Sequence, residues 1–403
     1  MRGVQTALEF FAPLIPDYLK TPTRYSGRIW LFKLGYYNLM KPKEKAKDWI
    51  WLVDHLVQAG SLKCLVVLGI RGKNLPKDRP LRKTDMEILS IMPVEISNGG
   101  IVCNQLINIT EITGVPRAIV ADHGSDIKSG IEQFCNLTGP SGTIYLYDIK
   151  HCIANLLKKF LANDKIWNSF IELAATTKKY LQQTNLAGLM PPNQRSKARY
   201  MNLEPLVSWG IKVLKRLDSG DYRTTVDPHK LKCKLGWLPF FREGLITWNR
   251  MLNRAIHAES HIRTFGYSRG ASNKIAFEFS KMDNCEDSII FEKNIIQAIS
   301  REESKVWIGE TQLGSTEILE SSFGNYKEFV KNQSSSGFTG SILALPAMFS
   351  NITALKIKAA IEGTTTKQVR RWISDYVGQT VQSQRLAWLG KGKAEQKHDE
   401  KVA

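Results

Sequence analysis

Trp49-Ile50-Trp51-Leu52-Val53-Asp54 and Ala118-Ile119-Val120-Ala121-Asp122 decide how this chain is read. Each is a short apolar run that ends in an aspartate. Runs of this length without polar alternation suit strands covered on both faces. An acid just past the end of such a strand points out of the sheet edge. A third acid, Glu320, lies in a helical stretch, Thr316-Glu317-Ile318-Leu319-Glu320-Ser321-Ser322-Phe323-Gly324-Asn325-Tyr326-Lys327. Two strand-end acids and a helix-borne third can hold two divalent ions about 4 Å apart, an arrangement that activates a hydroxyl and stabilises a leaving oxygen in phosphoryl transfer. Carboxylates suit Mg2+ or Mn2+, which take oxygen ligands octahedrally. The plainer alternative is that strand-end aspartates only cap the helices that follow.

The surrounding pattern supplies the fold. Leu62–Ile70 follows Gly60 as a hairpin partner of Trp49–Val53, and Ile88–Ile96 is a third strand. Asn98–Gly114 carries Ile101, Leu106, Ile109 and Ile112 near helical spacing. Arg117–Ala121 is the fourth strand. A helix follows, capped by Ser125, with Ile127, Ile131 and Phe134 on one face. Thr143–Tyr147 is the fifth strand and Asp148–Leu161 a helix. The order β-β-β-α-β-α-β-α predicts an α/β domain with an RNase H-like mixed sheet flanked by helices.

Elsewhere the chain reads as helical. Residues 1–47 form a basic helical segment in which Thr21–Gly35 is a capped helix with Arg24 and Arg28 outward, a partial helix-turn-helix or a plain basic surface helix. The sheet domain spans 48–162 and resumes over 301–345. Between them, 163–300 is an α-helical insertion with helices at 166–181, 203–217, 244–261 and 288–300. Residues 346–389 are C-terminal helices, one of them basic over Thr364–Ile373. Residues 390–403 are a charged tail expected to be disordered.

Composition narrows the partner. Among 403 residues, 56 Lys and Arg face 38 Asp and Glu, a net charge of +18. That excess favours a polyanion over an acidic or apolar partner. The apolar fraction of 43% supports a full core. No apolar run reaches the ~20 residues that span a bilayer, and Met1–Leu14 lacks a signal-peptide cleavage pattern. The six cysteines form no CxxC or CxxH pair, which argues against zinc and for reduced cytosolic thiols.

Three motifs resemble those of the DDE transposases, RNase H-fold enzymes that cut and join DNA at mobile-element ends. Trp51-Leu52-Val53-Asp54 before a hairpin looks like their first acidic strand. Ala121-Asp122-His123-Gly124-Ser125-Asp126 looks like the second. Glu320-Ser321-Ser322-Phe323-Gly324-Asn325-Tyr326-Lys327 is similar to the Glu-Ser-x-Phe-Gly-x-x-Lys helix of bacterial insertion-sequence transposases. Tyr147-Asp148-Ile149-Lys150-His151 resembles a further Asp-x-x-His element. The likeness covers about 48–160 and 300–345. The long helical insertion is more like that of the hAT and Mutator-like transposases than the short spacing of retroviral integrases. The resemblance implies Asp54, Asp122 and Glu320 as catalytic metal ligands for two Mg2+ or Mn2+ ions. It implies DNA as partner, both transposon ends and target, a homodimer or larger assembly on that DNA, and a cytoplasmic, nucleoid-associated bacterial protein.

Rivals stand beside each acid. Asp126 competes with Asp122, and Glu317 or Glu172 with Glu320. Asp148 either caps its helix or joins the site through His151, and His123 either supports proton transfer or is a loop residue. Lys327, two turns past Glu320, either touches a phosphate or is solvated. Arg195, Lys197 and Arg199 form a basic loop suited to gripping phosphates. Trp209, Trp237 and Trp248 read as core residues, with base stacking the minor alternative.

Overall fold

The computed structural model describes residues 2–12, 21–57, 62–139, 142–194, 199–220, 228–331, 338–378 and 388–389. The chain divides into two compact units. One holds 1–76, 80–145 and 316–403; the other holds 77–79 and 146–315.

In the first unit, α1 (Arg2–Phe11) and α2 (Arg24–Met40) precede the strands β1 (Trp49–Val57), β2 (Lys63–Arg71) and β3 (Glu87–Val94). Then follow α3 (Gly99–Thr113), β4 (Ala118–Ala121), α4 (Ser125–Thr138) and β5 (Ile144–Tyr147), of which Leu146 and Tyr147 count with the second unit. The sheet order is β3-β2-β1-β4-β5. β1 and β3 both run antiparallel to β2, and β4 runs parallel to β1. This mixed five-stranded sheet with flanking helices has the RNase H-like strand order that the sequence pattern predicts. Pro93 sits in β3, at the sheet edge, where a missing N–H leaves no ladder bond unmade.

Side-chain alternation sorts the two faces. Trp49, Trp51 and Val53 of β1, Leu65 and Val67 of β2, and Ile119 and Ala121 of β4 share one buried cluster. Val102, Leu106 and Ile109 of α3 and Ile127, Ile131 and Phe134 of α4 complete it. Each of these large side chains stabilises the fold by about 1.5–3 kcal/mol through burial. Asn98 caps α3 by accepting from the Ile101 N–H, and Gly114 closes the helix at φ +82°.

Two sequence expectations are corrected here. β1 does not stop at Val53: it pairs with β2 as far as Val57↔Lys63, so Asp54 lies inside a strand. Ser125 is the first residue of α4 rather than its cap; Gly124 holds the cap position.

In the second unit come α5 (Ile149–Leu161), α6 (Lys165–Leu181), α7 (Glu204–Ser219), α8 (Pro228–Leu235) and α9 (Arg242–Phe265). β6 (Tyr267–Ser268), α10 (Ala271–Phe279), α11 (Glu286–Glu303) and β7 (Thr311–Gln312) follow, with β6 and β7 paired antiparallel. Its centre is aromatic. Trp167 meets Trp248 edge-on with ring centroids 4.7 Å apart, and Phe170 packs against Trp237, Phe241 and Trp248. Trp237 and Trp209 donate their indole N–H groups to Thr177 Oγ1 and the Leu189 carbonyl. Trp248 is buried, Trp209 and Trp237 are half-buried with satisfied polar tips, and the buried Trp167 indole N–H has no hydrogen-bond partner. Arg254 is buried and paired with Glu292 at 3.0 Å, as a desolvated charge requires. The Tyr267 hydroxyl donates to the Tyr147 carbonyl, and α5 lies within this unit.

The chain then returns to the first unit with α12 (Glu317–Val330), α13 (Ala344–Ala347), α14 (Ala354–Gly363) and α15 (Thr366–Tyr376). α2 packs against α13, α14, α15 and the turn Gly340–Leu343. Asn38, buried on α2, donates to the Pro346 carbonyl and to Ser350 Oγ at 3.1 Å each, and Lys33 Nζ donates to the Ile361 carbonyl. The expected helix at 21–35 runs on to Met40, and it is built into the C-terminal helices.

Gly35 marks the closest approach. A Cβ there would stand 1.7 Å from the Leu343 carbonyl oxygen. Gly35→Ala is expected to destabilise the fold by on the order of 1–3 kcal/mol or more, as overpacking does. Thermal melting checks this; an unchanged midpoint would mean that α2 does not seat against 340–343.

Candidate active site

The parallel register between β1 and β4 runs up to the residues that precede the first two acids. Ile50 pairs with Ala118, Trp51 with Ile119, Leu52 with Val120 and Val53 with Ala121. β4 ends at Ala121, so Asp122 is the first residue past it, one position beyond the last pair, while Asp54 continues in β1. Val53 and Ala121 both face the α3–α4 cluster, and alternation turns Asp54 to the other face. Both aspartates are half-buried.

Asp122 is held from its own loop. Its Oδ1 accepts from the Gly124 N–H at 3.0 Å, and the Tyr145 hydroxyl donates to its carbonyl. His123, exposed, packs edge-on against the Tyr145 ring at 5.5 Å. A Cβ at Gly124 would come within 3.1 Å of the Asp122 carboxylate. Gly124 and Tyr145 are supports that the sequence reading missed. A glycine two residues after an aspartate is a legible signal for a side-chain-to-backbone turn; the Tyr145 contact needs the sheet to exist first.

Asp126 is engaged on the opposite face. Lys63 Nζ lies 2.8 Å from its Oδ2, and the His55 ring Nδ1 lies 3.7 Å from the same oxygen. Burial pushes the Asp126 carboxyl up, but hydrogen bonds from Lys63 and Ser97 and the charges of His55 and Lys63 outweigh it and hold it at about 2. Burial also pushes the His55 imidazole down, against the pull of Asp126. This cluster ties β1 and β2 to the first turn of α4.

Glu317 and Glu320 both lie in the first turn of α12, half-buried, where carboxylates complement the helix dipole. Leu319, Ser322, Phe323 and Tyr326 form the buried face of α12, and this helix packs against β1. Helical phase sets Glu320 on the flank of that face beside Phe323, and Glu317 farther round. Gly324 and Lys327 are exposed. Among the described residues, no group of three or more His, Cys, Asp and Glu is gathered closely enough to hold one ion. α12, which carries Glu320, shares an element contact with β1.

The remaining candidates are placed as follows. Asp148 is 1% exposed and caps α5, accepting from the His151 N–H at 2.8 Å and lying 2.9 Å from His151 Nδ1. Glu172 is exposed on α6. Arg24 and Arg28 are exposed in the first turns of α2. Arg195 and Lys197 lie outside the described residues; Arg199 begins a short turn, Arg199–Met201. All six cysteines are unbridged. Among the described residues no helix is long and apolar enough to cross a membrane.

No protein-family model and no curated protein matches the chain. Among solved structures, the chain is similar to the Drosophila P element transposase strand transfer complex, with 12% identity and a TM-score of 0.36 over 93% of this chain and 91% of that one. At that level of likeness the fold assignment rests on strand order and register alone.

The Asp126 cluster has a pH consequence. An aspartate held below its unfolded value adds stability that is present above about pH 4 and is lost as pH falls toward 2. Asp126→Asn should therefore lower the urea midpoint at pH 6 and flatten its decline between pH 5 and pH 2. A variant whose decline stays as steep as wild type would place the acid-sensitive group elsewhere.

Proposed function

We propose that this chain is the catalytic subunit of a DNA transposase, a DDE-type polynucleotidyl transferase. The observation that carries the proposal is the parallel β1–β4 register, whose last pair, Val53 with Ala121, immediately precedes Asp54 and Asp122 in the chain. Two carboxylates one strand apart are the donor set a hard divalent ion takes. Glu320, on the helix packed against β1, is the third donor in this reading. Bound Mg2+ or Mn2+ would activate water and stabilise the leaving oxygen at a phosphodiester. The chain's part is to hold the carboxylates. The β-ladder fixes Asp54, and the Gly124 N–H and the Tyr145 hydroxyl fix the loop of Asp122. The net charge of +18 supports a polyanionic substrate. In this reading cleavage frees a 3′-hydroxyl at the element end, which then joins target DNA, and pairing of two ends calls for a dimer or larger assembly.

One observation favours a second reading, a DNA-binding protein without chemistry: the three acids do not form a single ligand group among the described residues. The two readings part in a cleavage and joining assay on labelled element-end DNA. Asp54→Asn, Asp122→Asn and Glu320→Gln are each expected to abolish cleavage, a loss of at least about a hundredfold, with DNA binding retained. Glu317→Gln is expected to cut like wild type. Near-wild-type cutting by a variant removes that residue from the set. A wild-type chain that binds end DNA but never cuts it favours the second reading.

The same assay tests the ions. Activity should require Mg2+ or Mn2+, with Ca2+ supporting binding and not cleavage. Full cutting in excess chelator would sink the metal-dependent mechanism.

A further inference from the structure

α15 is a two-faced helix. Val369, Trp372, Ile373 and Tyr376 share one side; Val369 and Trp372 are buried, and Tyr376 stacks on Trp372 at 5.3 Å. Lys367, Arg370, Arg371 and Ser374 recur at i, i+3, i+4 and i+7 on the opposite side, and all four are exposed. Thr365 caps the helix within a capping box with Gln368, so its start is framed. Only Thr364 and Thr365 separate it from α14.

Tyr25 joins this face to α2. Arg370 Nη2 donates to the Tyr25 hydroxyl at 2.9 Å, and the Arg28 guanidinium lies over the Tyr25 ring at 5.5 Å. The exposed cations Arg24 and Arg28 from near the start of the chain thus stand beside Lys367, Arg370 and Arg371 from near its end. Asp375 lies 3.7 Å from Arg371, Glu362 faces Lys358 on α14 at 3.9 Å, and Glu9 accepts from the Gln5 side chain, whose carbonyl accepts from the Arg24 N–H. Exposed pairs at such distances neutralise little.

We infer that this composite face of α15 and the start of α2 is a binding surface for double-stranded DNA, with α15 as the helix laid against the duplex. The choice of DNA rests on the proposed function; the choice of surface does not. B-form DNA offers a major groove wide enough for an α-helix and about one negative charge per 1.7 Å of axis. A-form RNA keeps that groove deep and narrow. An anionic membrane calls for apolar residues that insert, and Lys367, Arg370, Arg371 and Ser374 supply none. α2 is then the brace that holds α15, through Tyr25 among other contacts, while Arg24 and Arg28 extend the charged track.

The test is a salt titration of full-length protein with a short random-sequence DNA duplex, in chelator, so that no cleavage intervenes. The combined Lys367→Ala, Arg370→Ala and Arg371→Ala variant should bind weakly and lose about 0.9 of log–log salt slope per lost phosphate contact, roughly 2.7 for three. Arg370→Lys with Arg371→Lys should keep the slope. Equal melting temperatures for all three proteins exclude misfolding as the cause. A triple-alanine variant with wild-type affinity and slope overturns the inference, as does preference of the wild-type chain for duplex RNA or anionic vesicles over duplex DNA. Because Asp54, Asp122 and Glu320 play no part in this assay, either result leaves the catalytic reading to its own test.

Discussion

The backbone ladder between β1 and β4 is the constraint on which the rest depends. Four parallel pairs place two strands from distant parts of the chain in one fixed register. A slip of one residue would turn every side chain of β4 to the other face. It would expose Ile119 and Ala121 and draw Asp122 away from Asp54. The apolar cluster with α3 and α4 penalises that slip heavily, since it buries the tryptophans of β1 and the phenylalanine of α4 on one side only. The same core packing that stabilises the sheet therefore fixes the backbone of β1 and β4 up to Val53 and Ala121.

The two faces of β1 are given different work. His55 points toward α4 and meets Asp126, which Lys63 also engages. That set of groups anchors the helix after β4 to the β1–β2 hairpin. Asp54, one residue earlier, has the opposite face. Alternation turns the two side chains of β1 to different faces, while the Asp122 charge still acts on His55. Asp126 is the nearest sequence rival of Asp122, and it is occupied on the far side of the sheet.

The chain's two ends meet on α2. Its buried residues carry α13, α14 and α15, and Gly35 lets the Leu343 backbone come close. A basic helix near the start of a chain invites comparison with a self-contained binding unit. Here its later turns are committed to packing, and only its first turns remain outward. The outward cations of α2 gain neighbours from α15 that lie more than 300 residues away in sequence.

Much of the fold was legible because period and punctuation agree. Unbroken apolar runs marked β1, β2 and β4, and spacing with Asn98 and Gly114 marked α3. What misled was the meaning of a strand's end. Val53 ends the apolar run, but the strand continues while its antiparallel partner continues, and only pairing reveals that. The cap of α4 was misread by one residue because Asp122 reaches Gly124 first. By itself, the sequence determined which segments are strands and helices, the excess of positive charge, and the candidacy of Asp54, Asp122 and Glu320, all of which are local properties of residue type and spacing. Only the tertiary structure decided that β1 and β4 run side by side in parallel, that Asp126 is spoken for, and that α15 packs on α2. Those facts rest on register and packing between distant segments, and local pattern carries no information about which distant partner a strand or helix will find.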